Sequence, residues 1–83
     1  MLVITDGTRT VEAPEFCRSA HAFGLGPDGP EGVMECERCG LVDREPVERG
    51  GLKWFWQRVG EDTWALRSGD TVARWIDRKP ACP

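Results

Sequence analysis

The chain has little with which to do hydrolytic chemistry. Among its 83 residues there is one histidine, His21, and there are two serines, Ser19 and Ser68, neither inside a hydrolase motif. That excludes a Ser-His-Asp site and a nuclease that gathers several histidines around its metal. No apolar run approaches the roughly 20 residues that cross a bilayer, so no membrane role is expected. The opening "MLVITDG" has no basic leader and turns polar at Thr5, which predicts no signal peptide and a cytoplasmic protein. There is no internal repeat and no low-complexity segment. A large excess of positive charge is also missing. The net charge is −3, with 5 basic and 10 acidic side chains in residues 1–50 and 6 basic and 4 acidic in residues 51–83. Any phosphate-binding footprint must therefore be local and lie toward the C-terminal part.

What is present is four cysteines in a chain too short for a large core. A single domain over residues 1–83 is expected, and chains of this size lean on metals, disulfides or partners. Reduced cytosolic thiols favour a metal. The reading is an α+β domain. Residues 1–50 supply a hairpin, a helix and a metal knuckle; residues 51–79 supply a β-meander; residues 80–83 are a tail. "LVIT-DG-TRTVEA" reads as a hairpin about Asp6-Gly7. "PEFCRSAHAFG" reads as a short helix, with Pro14 in its first turn, Gly24 as its stop, and Phe16, Ala20 and Phe23 spaced as a core stripe. Residues 24–32 read as a Gly/Pro-rich loop, and "REPVERGG" as a polar connector. "LKWFWQRV", "TWALRS" and "TVARWIDR" read as three antiparallel strands.

The cysteine and histidine spacing is Cys17-x3-His21-x14-Cys36-x2-Cys39. Two residues four apart on a helix face one ion, and a C-x2-C turn brings two sulfurs to the same ion. Gly40 suits that turn because glycine takes a positive φ at no cost. Zinc accepts this ligand set as a tetrahedron. Four protein ligands leave no position for water, so a structural Zn2+ is expected rather than a catalytic one. The zinc deaminases need an H-x-E ahead of their C-x2-C, and "HAF" has no glutamate. Cys82 is the reserve ligand should His21 not bind. An iron–sulfur cluster on four cysteines would have to recruit Cys82 across a long interval.

"CRSAH…ECERCG" resembles the short zinc-finger proteins of actinobacteria and their phages, which carry C-x3-H and C-x2-C-G. The resemblance covers about residues 17–41. It implies a small, non-enzymatic, zinc-stabilised protein, phage-encoded or of a bacterial host, acting as an accessory factor or as a subunit of a larger assembly.

All four tryptophans fall in residues 54–75. Strand alternation groups Phe55, Val59, Trp64, Leu66, Val72 and Ile76 as one face, and Trp54, Trp56, Ala65 and Trp75 as the other. The expected role is a protein-binding module whose partner-binding residues are Trp54, Trp56, Arg58 and Trp75. No small-molecule substrate is expected. A second reading is a nucleic-acid-binding zinc finger that stacks bases on the tryptophans and meets phosphates with Lys53, Arg58, Arg67, Arg74, Arg78 and Lys79. A third is a small metal-dependent enzyme.

Overall fold

The computed structural model describes residues 1–24, 34–43 and 46–78. Among them there is no helix, and the architecture is all-β rather than α+β. Eight strands form: β1 (Leu2–Thr5), β2 (Thr10–Ala13), β3 (Phe23–Gly24), β4 (Glu35–Cys36), β5 (Val47–Arg49), β6 (Leu52–Arg58), β7 (Trp64–Ser68) and β8 (Thr71–Ile76). Six of them make one sheet in the order β2-β1-β8-β7-β6-β5, and β3 pairs with β4 as a second, small sheet. No helix of the described residues is long and apolar enough to cross a membrane.

The helix expected over residues 14–24 fails for a reason visible in its backbone partners. A helix needs the Pro14 carbonyl for the amide of Arg18 and the Ala22 amide for the carbonyl of Arg18. Here the Pro14 carbonyl accepts from Gln57 Nε2 at 2.8 Å and Arg67 Nη1 at 3.1 Å. The Ala22 amide donates to Cys36 Sγ at 3.4 Å, and the Ala22 carbonyl accepts from the Glu37 amide at 2.9 Å. Nucleating so short a helix is unfavourable, and Phe, Cys, Ser and His add little propensity. Tertiary bonds win the segment.

The N-terminal hairpin and the meander form where the alternating apolar residues placed them. β1 pairs antiparallel with β2 from Leu2↔Ala13 to Thr5↔Thr10, so the loop is the four residues Asp6–Arg9. Asp6 Oδ1 accepts from the amides of Thr8 (2.8 Å) and Arg9 (2.7 Å), and its Oδ2 accepts from Trp75 Nε1 at 2.6 Å. Arg9 lies over the Trp75 ring, 4.9 Å from its centroid. The hairpin meets β8 in parallel through a single pair, Thr5↔Thr71, with the Thr5 amide donating to the Asp70 carbonyl at 3.1 Å.

These bonds to the ionised form, the Arg9 and Thr8 amides first and then the Trp75 indole, hold the Asp6 carboxyl below its usual 3.8. The folded value is depressed, so the stabilisation is complete above the unfolded value and is lost as pH falls through the folded one. The Trp75 indole N–H resonance should therefore shift with a midpoint below 3.8, and the shift should vanish in Asp6→Asn. A midpoint at or above 3.8 would show that the carboxylate does not hold the loop.

The segment read as a polar connector contains β5. Its hairpin with β6 turns on Gly50 and Gly51, whose φ values of 59° and 78° are those of a type I′ turn. The faces of the meander also differ from simple alternation. Leu66 pairs with Arg74 but Arg67 pairs with Val72, so Ala73 is an extra residue and β8 carries a bulge. Below the bulge Val72 shares a face with Arg67; above it Trp75 shares that same face with Ala65. Two apolar clusters result. Ile4 and Ala13 of the hairpin pack with Ala65 and Val72, flanked by Trp75 and Val59. On the other face Val42 packs with Trp64, flanked by Trp56 and Ile76.

Candidate metal centre

Cys17 and His21 lie on the irregular stretch between β2 and β3, Cys36 ends β4, and Cys39 closes the turn that follows. That turn is tied by the Gly40 amide to the Cys36 carbonyl at 2.9 Å and by the Cys36 amide to the Leu41 carbonyl at 2.8 Å. The ligand atoms of all four residues lie within 4.8 Å of one another. Cys17 Sγ is 3.8 Å from Cys36 Sγ, and Cys39 Sγ is 3.4 Å from His21 Nδ1. The three cysteines are free thiols. The four residues singled out by spacing are thus together and can hold a metal ion, without the helix expected to present two of them. Cys82 and Lys79 lie outside the described residues.

The electrostatics suit a cation. Burial pushes the Cys36 thiol up, but the backbone amides of Cys39, Arg38 and Ala22, with His21, outweigh it and bring it down to about 5. Cys17 moves the other way: burial pushes it up to about 11, helped by hydrogen bonds to Cys39 and Cys36 and repulsion from their charge. Three sulfurs converge, and one of them resists ionising beside the others. A divalent ion at their centre reverses that repulsion.

A buried polar node fastens the centre to the sheet. Gln57 is 0% exposed and Arg67 2%. Gln57 Nε2 donates to the Cys39 carbonyl at 2.5 Å as well as to Pro14, and its Oε1 accepts from Arg67 Nη1. Arg67 Nε donates to the Gly69 carbonyl at 3.0 Å, and its guanidinium lies 4.4 Å from the centroid of Phe16. Desolvation by burial draws the Arg67 pKa down, opposed first by Cys39 and then by Glu15 and Asp70. The backbone of residues 40–42 runs beside β6, with the Arg58 amide donating to Gly40 at 2.8 Å and the Val42 amide to Trp56 at 2.9 Å. Sequence reasoning missed this node. Its one signal was a glutamine at 57 on the same strand face as Phe55.

Gly40 is the joint of that arrangement. Its φ is +80°, and a Cβ there would stand 2.8 Å from the Arg58 carbonyl oxygen. Gly40→Ala should lower stability by roughly 2 kcal/mol or more, from left-handed strain plus displacement of β6. A chemical denaturation midpoint equal to wild type would show that the knuckle is free to move off the sheet.

The predicted partner-binding residues do not form one patch. Pairing of Trp56 with Leu66 and Arg58 with Trp64 places Trp54, Trp56 and Arg58 on one face, and pairing of Trp75 with Ala65 places it on the other. Trp75 is engaged by Asp6 and Arg9. Arg58 forms an ion pair with Glu35 at 2.8 Å and lies 4.3 Å from the Trp64 ring centroid. Trp56 packs beside Val42 and Trp64. Trp54 has no polar partner among the described residues, and its Nε1 is shut off from solvent. No family model, no curated protein and no solved structure matches this chain.

Proposed function

We propose that this chain is a small, non-enzymatic, zinc-stabilised protein-binding module. The observation that carries the reading is the convergence of Cys17, His21, Cys36 and Cys39 within 4.8 Å. Zinc bonds of ~2.3 Å to sulfur and ~2.0–2.1 Å to nitrogen give tetrahedral edges of ~3.8 Å between sulfurs and ~3.6 Å between sulfur and nitrogen. The Cys17–Cys36 and Cys39–His21 separations of 3.8 Å and 3.4 Å match these edges. Three thiolates and one imidazole suit zinc better than magnesium or calcium, which take oxygen. With all four positions taken by protein, the ion holds the chain and leaves binding to the surface. The likeness of "CRSAH…ECERCG" to small phage and actinobacterial zinc fingers belongs to the same reading, as an accessory factor or assembly subunit in a bacterial cytoplasm.

Native mass spectrometry of protein purified without chelator should show one zinc per chain. Replacing it with Co2+ should give the intense thiolate charge-transfer bands and the visible bands of a tetrahedral site with three sulfurs. A metal-free chain that stays folded in excess chelator overturns the proposal.

A further inference from the structure

β5 and the first residues of β6 form an arm at one end of the main sheet. β7 pairs with β6 only from Phe55 onward, so among the described residues Leu52, Lys53 and Trp54 have only β5 beside them. β5 is the outermost strand of the sheet order. A two-stranded hairpin standing alone is marginal in water. This one is also sorted by face. Val47 pairs with Trp54 and Arg49 with Leu52, which puts three apolar side chains and one cation on one side. Glu48 pairs with Lys53, so opposite charges meet on the other side. Val47 is 40% and Leu52 53% exposed. Arg49 makes no ion pair among the described residues. The enclosed indole N–H of Trp54 finds no acceptor among the described residues, a costly resting state for a buried donor.

We propose that this arm is the docking element of the module, and that it takes an extended peptide segment of a partner protein as an added strand along β5. The proposal rests on the protein-binding reading above. Among the described residues no strand pairs with the outer edge of β5, and the backbone groups of such an edge are the usual source of affinity in strand addition. Side chains of an added strand alternate, so those beside Val47 and Arg49 are two residues apart. The recognised segment therefore places an apolar residue beside Val47 and an aspartate or glutamate beside Arg49, at spacing i, i+2. Nucleic acid is the poorer occupant: Val47 and Leu52 offer it nothing, and the chain is net negative.

The test uses the zinc-loaded full chain and a synthetic library of nine-residue peptides. These carry Val, Leu or Phe at one central position and Asp, Glu, Lys or Ser two residues away. Selection should enrich peptides with an apolar residue and a carboxylate at that spacing. Val47→Ser should weaken the selected peptides by about tenfold or more, as for an interface anchor. Arg49→Glu should invert the preference from Asp to Lys. Enrichment that ignores both substitutions overturns the inference, as does tighter binding of a labelled single-stranded oligonucleotide. Concentration-dependent dimerisation abolished by Val47→Ser also overturns it, since the occupant is then a second copy. Zinc content is measured on every variant. Loss of zinc from the wild-type chain counts against the module itself, whereas an intact zinc-loaded domain without peptide binding counts against the arm alone.

Discussion

Cys36→Ser should abolish zinc binding and the cooperative melting transition together. Cys36 is buried, ends β4, and gathers amides from three residues onto its sulfur. Structural zinc in small fingers supplies an apparent ~10–16 kcal/mol. A whole domain has a net stability of only ~5–15 kcal/mol. With two modest apolar clusters as the remaining core, nothing of comparable size replaces the ion. Circular dichroism should show a broad, non-cooperative melt and mass spectrometry an apo chain. A sharp transition near the wild-type temperature would mean the sheet stands without its metal. Cys17→Ser should act in the same direction, because Cys17 Sγ lies 3.8 Å from Cys36 Sγ.

The second large effect belongs to Gln57. Leucine is close to glutamine in size and removes only the polar atoms of that side chain. Gln57→Leu strips the Cys39 carbonyl of its side-chain donor and the Arg67 guanidinium of its side-chain acceptor. An orphaned buried group costs about 1–3 kcal/mol, and a charged one more, so a loss of roughly 3–5 kcal/mol is expected. The substitution also frees the backbone of a metal ligand, and outer-shell changes of that kind weaken metal affinity about 10–100-fold. Urea denaturation and competition with a zinc chelator measure the two effects separately. If both stay within error of wild type, the node is ornamental. The double variant Gln57→Leu, Arg67→Met should recover part of the stability, because an apolar pair leaves no buried charge. It should not recover the metal affinity.

The convergence of Cys17, His21, Cys36 and Cys39 was legible because metal chemistry demands particular residue types, and few arrangements of four cysteines and one histidine satisfy it. The strands of the meander were legible from Val, Trp and Leu at alternate positions between short Gly-Asp turns. What failed depended on partners distant in the chain. The helix over residues 14–24 was argued from Phe16, Ala20 and Phe23, but Gln57 and Arg67 claim the Pro14 carbonyl. The tryptophan faces were argued from alternation within each strand, but the pairing of β6 with β7 puts Trp54 and Trp56 on the face of Trp64 and Leu66, and Trp75 on that of Phe55 and Ala65, while the extra residue at Ala73 takes Val72 off the face of Ile76. β5 was hidden by charge: Glu48 and Arg49 flank Val47 and read as a connector. The Gly50-Gly51 pair was the overlooked hairpin signal. The partner-binding residues were chosen from strand alternation and residue type, and three of the four, Trp56, Arg58 and Trp75, also have partners within the chain.

The single parallel pair Thr5↔Thr71 has a consequence for the order in which the molecule can assemble. The hairpin is synthesised well before the surface it covers, Ala65 and Val72. Contacts this far apart in sequence carry a high loop-closure cost and form late. On a ribosome the first strands must wait, unpaired with the sheet, while the knuckle and meander build up behind them. The hairpin is then the last unit to join and the first to leave. In native-state hydrogen exchange the amides of residues 2–13 should open together, at a free energy below that of β6 and β7.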